Sequence, residues 1–328
     1  MTWKHSLVAL ALSVFPGSVA AQEYVDILPQ TEPVPLSAED PELKEVGELI
    51  YRGGLKIEPS VSDVKETIGG ISGLEWFEDA LWAVTDNGRW MRIVPDEGNA
   101  ELRDIYGMDI GVLRDLKGKK LKGKDDADAE AITRFPQGGW VVSFEQEIRS
   151  WRYDALTEPA RVEVKGRLDA LGALEPNKGI ETFASHPEGG VLCAEKHVPG
   201  EANCVRAVRR EERPFELVPP PPLAEHSGVP TGAACADDGV CYVVIRSFKP
   251  GYGNRAAILA VSPENEATTL AIFDAPLTLD NFEGLAVREQ YGRRFLYVVS
   301  DDNFNNCYEN EHADCQNTLL MKFEIESE

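Results

Sequence analysis

The chain has 328 residues and carries 56 acidic against 33 basic side chains, a formal charge of −23. Nucleic acid and anionic lipid surfaces are bound through basic patches, so this balance argues against both as partners. It favours solubility and the binding of cations.

The first element in chain order is a leader. Lys4 and His5 precede an apolar run from Ser6 to Phe15, and Val19, Ala20 and Ala21 offer small residues for cleavage before Gln22. The run is too short for a bilayer core of ~30 Å. Residues 1–21 therefore read as a signal peptide, no membrane span is expected, and the mature chain is expected in the periplasm or secreted. Residues 22–45, opening "QEYVDILPQTEPVPLSAEDPEL", are Pro-rich and acidic without periodicity and read as an extended linker. From residue 46 to 328 the pattern changes to short β-branched and aromatic runs punctuated by Gly, Pro and Asp, which predicts one all-β domain.

Five segments repeat within that domain: "SGLEWFEDALWAVTDNG", "DAEAITRFPQGGWVVSFEQ", "GIETFASHPEGGVLCAEKH", "PTGAACADDGVCYVVIRSF" and "FEGLAVREQYGRRFLYVVSDDN". Aligned on Glu75, Glu130, Glu181, Thr231 and Glu283, they are spaced by 55, 51, 50 and 52 residues. A strand-rich period near 50 predicts a β-propeller with five four-stranded blades, a degenerate sixth being the alternative count. The last repeat supplies three strands, ending at "NTLLMKFEIE". "GELIYRGGLKIEP" is expected to add the fourth and close the ring, leaving no exposed edge there.

Four of the five repeats have an acid at the start of the first strand and another after the second. An antiparallel hairpin returns its second strand to the starting end. Glu75 is thereby paired with Asp86, Glu130 with Glu145, Glu181 with Glu195, and Glu283 with Asp301 or Asp302. Innermost hairpins line the axis of a propeller, so four blades direct these carboxylates toward one mouth. Crowded carboxylates in a partly dry cleft repel unless protons or cations compensate. Oxygen-only ligands select hard cations, Ca²⁺ first and Mg²⁺ second, with Asn87, Asn281 and Asn303 as neutral donors. Glu75, Asp86, Glu130, Glu181, Glu283 and Asp301 are the metal-ligand candidates. Zn²⁺ is disfavoured because the histidines lack ligand spacing. The competing explanation of such acids is solvation at strand ends, and runs such as "KDDADAE" fit an ordinary exposed loop.

The fourth repeat departs from the others, with Thr231 in place of Glu and Ile245-Arg246-Ser247 in place of an acid. Arg246 is either a counter-ion to the acids or a fork for a substrate anion. Lys178, Lys196 and Arg149 are further cations near the mouth. There is no G-x-S-x-G elbow, Walker A sequence or G-x-G-x-x-G fingerprint.

The six cysteines fall into close pairs. In an oxidising compartment they predict the disulfides Cys193–Cys204, Cys235–Cys241 and Cys307–Cys315.

The motifs "YRGGLKI", "GGISGLEW", "LWAVTDNGRW", "DADAEAITRF", "VVSFEQEIRSW", "NKGIETFASHPEGG", "PTGAAC…VVIRSF" and "DNFEGLAV…LYVVSDDNFN…QNTLL" run in order from about Tyr51 to Phe323. In this combination the chain resembles the phytase-like family, known for an esterase-like activity of phytase. The resemblance implies a β-propeller and hydrolysis of esters or phosphoesters. It brings no assigned catalytic set. Two positions depart from the family pattern: Ile245 stands where an acid often precedes Arg-Ser, and Asn87 where Asp-Arg-Gly is common. The histidine acid phosphatase signature is absent.

Together these readings predict a cation-dependent hydrolase of phosphate or carboxylate esters, acting as a monomer on a small anionic substrate. Glu145 and Glu195 are the candidate general bases and Arg246 the anion-binding group. The alternative is a Ca²⁺-stabilised propeller that binds a ligand or partner protein without catalysis.

Overall fold

The computed structural model describes residues 24–59, 68–146, 148–164, 171, 174, 179–208, 211–303 and 316–326. The leader, the whole "CYENEHADC" loop with the expected Cys307–Cys315 disulfide, and Lys178 lie outside these residues.

Four strands come first: β1 (Tyr24–Ile27), β2 (Thr31–Pro33), β3 (Glu45–Val46) and β4 (Leu49–Ile57). The first blade is β5 (Ile71–Phe77), β6 (Ala80–Thr85), β7 (Arg89–Gly98) and β8 (Glu101–Val112). The second is β9 (Ala129–Arg134), β10 (Trp140–Phe144), β11 (Arg149–Tyr153) and β12 (Val162–Glu163). The third is β13 (Ile180–His186), β14 (Gly189–Ala194), β15 (Cys204–Val208) and β16 (Glu211–Phe215). The fourth is β17 (Val229–Cys235), β18 (Cys241–Lys249), β19 (Gly253–Val261) and β20 (Ala267–Phe273). The fifth combines β21 (Phe282–Gln290), β22 (Arg293–Ser300) and β23 (Thr318–Ile325) with β4. Strands β5, β9, β13, β17 and β21 touch in a closed ring, so the molecule is a five-bladed propeller.

Leu49–Ile57 pairs with Thr318–Ile325 from Thr318↔Ile57 to Ile325↔Leu49, which closes the ring with an N-terminal strand as the repeats require. The stretch expected to be a linker is different. Its residues extend both terminal blades, β1 pairing with β8 and β2 and β3 with β4. Leu36 is fully buried, and its carbonyl accepts a hydrogen bond from Thr278 N at 2.7 Å. The Pro-rich composition reflects the covering of sheet edges, where few ladder donors are needed.

Strands such as "WVVSF" and "RRFLYVVS" bury both faces because each blade is covered on both sides by its neighbours. The core accordingly lies between blades. Leu74, Met91, Phe295 and Val299 pack the first blade on the fifth, and Val244, Phe273, Phe282 and Phe323 pack the fourth on the fifth. Trp82 joins the first blade to Trp140 of the second, with ring centres 4.9 Å apart. The first and last blades are also clasped by charge. Glu97 accepts hydrogen bonds from Lys322 Nζ and Tyr297 OH, each at 2.6 Å, and pairs with Arg288. Two disulfides, Cys193–Cys204 and Cys235–Cys241, cross-link facing residues of neighbouring strands, as their spacing predicted.

Candidate functional site

Each innermost hairpin carries a register shift near its start, and the residue skipped by the pairing is Ser72, Glu130, Glu181, Thr231 or Glu283. A bulge of this kind re-aims one side chain out of the strand's alternation. The residue that follows is small in every blade: Gly73, Ala131, Thr182, Gly232 and Gly284. Close approach explains this at Gly232, where an added Cβ would stand 1.9 Å from the carbonyl oxygen of Glu283 on the next blade. The repeated bulge, rather than strand alternation, places Glu130, Glu181 and Glu283 at the axis.

The returning strands bring their partners to the same end. Glu145 N bonds Asp128 O at 2.9 Å, Glu195 N bonds Gly179 O at 3.2 Å, and Asp301 N bonds Asn281 O at 2.9 Å. Asp86 N reaches Gly70 O at 3.1 Å and sits at the same mouth. Oxygens of Asp128, Glu130 and Glu145 lie within 4.8 Å of one another, as do those of Glu145, Glu181 and Glu195. Glu145 belongs to both groups.

Glu75 does not join them. Its Oε2 accepts from Thr133 Oγ1 at 3.0 Å and Arg134 N at 3.1 Å, near the hairpin turns at the opposite end of the axis. The repeat alignment was displaced by three residues in the first blade, and Ser72 is the true counterpart of Glu130. Ser72 and Thr231 turn their hydroxyls to backbone carbonyls, of Gly70 at 3.4 Å and Phe282 at 2.9 Å. Two further acids complete the mouth. Asp128, in the run that resembled a solvated loop, is 1% exposed, and Asp302 is 3% exposed with Oδ1 2.9 Å from Gly70 N. Asp128 was marked in the sequence by its place two residues before Glu130, on the same strand entry.

Burial, followed by the charge of Asp301, pushes the Asp86 carboxyl up to about 8. Burial and the Asp302 carboxylate push Asp301 up to about 7 against the Asn303 N–H, which favours ionisation. Glu130, Glu181 and Glu283 are held well above the ordinary carboxylate range, by burial first and then by neighbouring carboxylates. Glu145 rises for the same reasons, Asp128 being its main neighbour. Asp86 and Asp301, raised this far, hold protons near neutral pH unless a cation replaces them.

The donor set fits a hard cation. It is all oxygen, and Asp86 Oδ1 and Asp128 Oδ1 are buried without a hydrogen bond. Positioning bonds surround it: Gln146 Nε2 donates to Asp128 Oδ2 at 3.0 Å, and Asn281 Nδ2 to Glu283 Oε1 at 2.8 Å. Lys124, at the start of a short helix (Lys124–Ala127), lies 3.5 Å from Asp128 Oδ1. Of the other cations near the mouth, Lys196 Nζ donates to Leu171 O at 2.5 Å, and Arg149 bonds Asp126 O.

Arg246 fills the gap left by the fourth blade, 3.7 Å from Glu195 and 3.4 Å from Glu283, and its Nε is buried without a hydrogen bond. Beside it opens a cleft of about 710 Å³, lined by Phe248, Tyr252, Asn281 and Glu283 among others. Below this mouth, the acidic bowl, the inner strands line a small cavity of about 10 Å³, room for one water at most.

A family model for phytase-like proteins, described as esterase-like activity of phytase, matches residues 66–304. The chain belongs to the phytase-like family. In this phytase-like propeller the two departures from the family pattern have local explanations. Ile245 is fully buried between blades, and Asn87 Oδ1 accepts from Thr85 Oγ1 at 2.7 Å within the turn. No curated protein matches the chain. Its structure is similar to that of a luciferin-regenerating enzyme, with 12% identity over 78% of this chain and 92% of the other, at a TM-score of 0.38. It is also similar to the RS223 β-xylosidase (11% identity, 78% and 91% covered, TM-score 0.46). The β-propeller domain of Myceliophteria thermophila Cps50 (Swd1) is a third likeness (13%, 77% and 72%, 0.35).

Proposed function

We propose that this protein is an exported, cation-dependent hydrolase of phosphate or carboxylate esters whose site is the acidic bowl. The observation that carries the reading is the convergence of carboxylates from the first, second, third and fifth blades on a place where the fourth supplies Arg246. Family membership supports the reaction class, and two disulfides support an oxidising compartment. Asp128, Glu130, Glu145 and Glu181 would hold a divalent cation, Ca²⁺ foremost and Mg²⁺ second, with Asp86, Glu283 and Asp301 completing the charge around it. When bound, such a cation supplies Lewis-acid polarisation of an ester oxygen.

The protein's own groups do the rest. Glu145 is shared by both carboxylate groups and suits a ligand better than a base. Glu195 is the more exposed of the two candidates, with 26% of its side chain accessible, and takes the proton from the attacking water. Arg246 holds the substrate anion, and the adjoining cleft takes the remainder of the molecule. No Ser or Cys nucleophile is needed.

The test is a screen of phosphomonoesters, phosphodiesters, carboxyl esters and lactones with and without Ca²⁺. Turnover should require the cation and disappear in Glu130→Gln/Glu181→Gln. Glu195→Gln should lower kcat by roughly 10²- to 10⁴-fold. If no substrate is turned over faster than by the double variant, the bowl belongs to a binding propeller.

A further inference from the structure

The cleft beside Arg246 owes its shape to one long hairpin of the fourth blade. Strands β6, β10, β14 and β22 end at Thr85, Phe144, Ala194 and Ser300, each one residue before the acid it delivers to the mouth. Strand β18 delivers Arg246 at that position and runs on through Ser247 and Phe248 to Lys249, paired with β19 as far as Lys249↔Gly253. Pro250 and Gly251 then turn the chain. Tyr252 N bonds Lys249 O at 2.9 Å and Gly251 has φ 82°, the Pro-then-Gly arrangement of a type II turn. At ~3.3 Å per residue the end of β18 stands ~10 Å beyond Arg246.

This hairpin carries aromatic rings to the cleft. Side chains two apart on a strand share a face, so Phe248 follows Arg246 on the same side, ~7 Å along the strand, and both line the cleft. Ser247 between them is buried on the other side. Phe248 is 57% exposed and Tyr252 61%. Tyr252 is held by Lys249, with Nζ 4.7 Å from its ring centre, and by the ring of His226 at 5.7 Å. Leu277 and Leu279, packed on the core between the fourth and fifth blades, add further apolar wall.

The polar side chains of the wall are already bonded within the protein. Asp280 accepts from Asn281 N and Asn317 N, each at 2.9 Å. Asn303 Nδ2 donates to Gln316 Oε1 at 2.5 Å, and Asn281 Nδ2 to Glu283 Oε1 at 2.8 Å. A hydroxyl-rich substituent would give up water here for groups that have partners, whereas an apolar one would cover exposed rings. The cleft volume of about 710 Å³ falls in the ~300–1,000 Å³ range of small-molecule sites. It therefore has a charged end at the bowl, where Arg246 and Glu283 belong to both, and an apolar end under the hairpin. We propose that this cleft is the substituent subsite of the bowl: the preferred ester carries an apolar ring, aryl foremost, close to its anionic group, and Phe248 and Tyr252 determine that preference. The inference rests on the hydrolase reading for the group that reacts at the bowl.

Phosphonates test it, since carbon in place of the ester oxygen lets them bind without turnover. The Ca²⁺-loaded protein is titrated calorimetrically with benzylphosphonate, methylphosphonate and 2,3-dihydroxypropylphosphonate. Benzylphosphonate should bind about tenfold more tightly than either of the others. Phe248→Ala and Tyr252→Ala should each shrink that preference by about three- to tenfold, as for one lost ring contact, and Phe248→Trp, which keeps a ring, should retain it. Both rings are exposed, so the alanine variants should melt as the unsubstituted protein does. Benzyl and ethyl phosphate, whose alcohols are of similar acidity, give the same comparison in kcat/KM. Equal affinity for the three phosphonates, no binding of benzylphosphonate, or a preference unaltered in both alanine variants would overturn the proposal. Equal turnover of the benzyl and ethyl esters would refute the subsite and keep the hydrolase. Selective binding of benzylphosphonate without turnover of any ester would keep the subsite and refute the hydrolase.

Discussion

Arg246 of the fourth blade and Glu283 of the fifth face each other across the bowl, guanidinium Nη2 to carboxylate Oε1 at 3.4 Å, with 19% and 13% of their side chains exposed. This blade thus places a cation where its neighbours place acids. Removing it should have opposite effects on the two kinds of ligand. In Arg246→Ala, Ca²⁺ should bind more tightly, because a positive charge leaves the neighbourhood of its site. Anionic esters should lose affinity, seen as a raised KM, while neutral esters keep theirs. Arg246→Lys should be intermediate. Equal losses for neutral and anionic esters would show that the guanidinium serves structure alone.

Ca²⁺ should stabilise the fold by linkage, since an ion that binds the native state alone contributes about 2.7 kcal/mol at a hundred times its dissociation constant. A thermal melt in EDTA against one in excess Ca²⁺ should show an upward shift. Glu130→Gln combined with Glu283→Gln should remove that shift and leave a cooperative transition, because each change also relieves repulsion between buried carboxylates. A double variant that keeps the full shift would put the cation elsewhere.

The propeller and its closure were legible because a period near 50 residues reports the repeating unit directly. The pairs Glu130–Glu145, Glu181–Glu195 and Glu283–Asp301 were legible because antiparallel return is a property of any hairpin. Glu75 was misplaced because strand alternation cannot register a bulge, and Ser72 offered no acid to align on. The small residue after each bulge, at Gly73, Ala131, Thr182, Gly232 and Gly284, was the available signal. Asp128 was obscured by its neighbours Asp125 and Asp126, since composition cannot say which acid of a run turns inward. The roles of residues 24–46 and of Glu97 depend on contacts between distant blades, which no local pattern encodes.

Those distant contacts make the closing junction the weak point of the ring. Glu97 of the first blade is held by Lys322, which is fully buried, and by Arg288 and Tyr297 of the fifth. Glu97→Gln leaves Lys322 without its counter-charge and should cost on the order of 3–5 kcal/mol in denaturant unfolding. Deleting residues 47–59, which contain the closing strand, should abolish cooperative unfolding. Deleting residues 22–40 should lower the midpoint and leave the transition cooperative, because Leu36 is lost from the core at about 2–5 kcal/mol. A neutral outcome for the second deletion would mean that these residues only rest on the blades.

The last prediction concerns pH and follows from the raised carboxyls of the bowl. In the unfolded chain Asp and Glu titrate near ~4. In the cation-free native state Asp301 is pushed up to about 7 and Asp86 to about 8, and Glu130, Glu181 and Glu283 are raised as well. Between these limits the native state binds more protons than the unfolded one, so stability must fall as pH rises. The stabilising protonation is complete below the unfolded values and is lost as pH climbs through 7 to 8. In EDTA the melting temperature should therefore drop steadily from about pH 5 to about pH 8. His186, whose proton affinity is lowered in the fold, acts in the opposite direction. Excess Ca²⁺ should reverse the trend, because the cation competes with the same protons and binds more tightly as they leave. Asp86→Asn with Asp301→Asn should flatten the EDTA slope between about pH 6 and pH 8, since the two groups pushed up to about 8 and about 7 are gone. A cation-free melting temperature that stays level or rises across this range would mean that the bowl's carboxylates are solvated and ionised, and the argument for a cation site would lose its electrostatic basis.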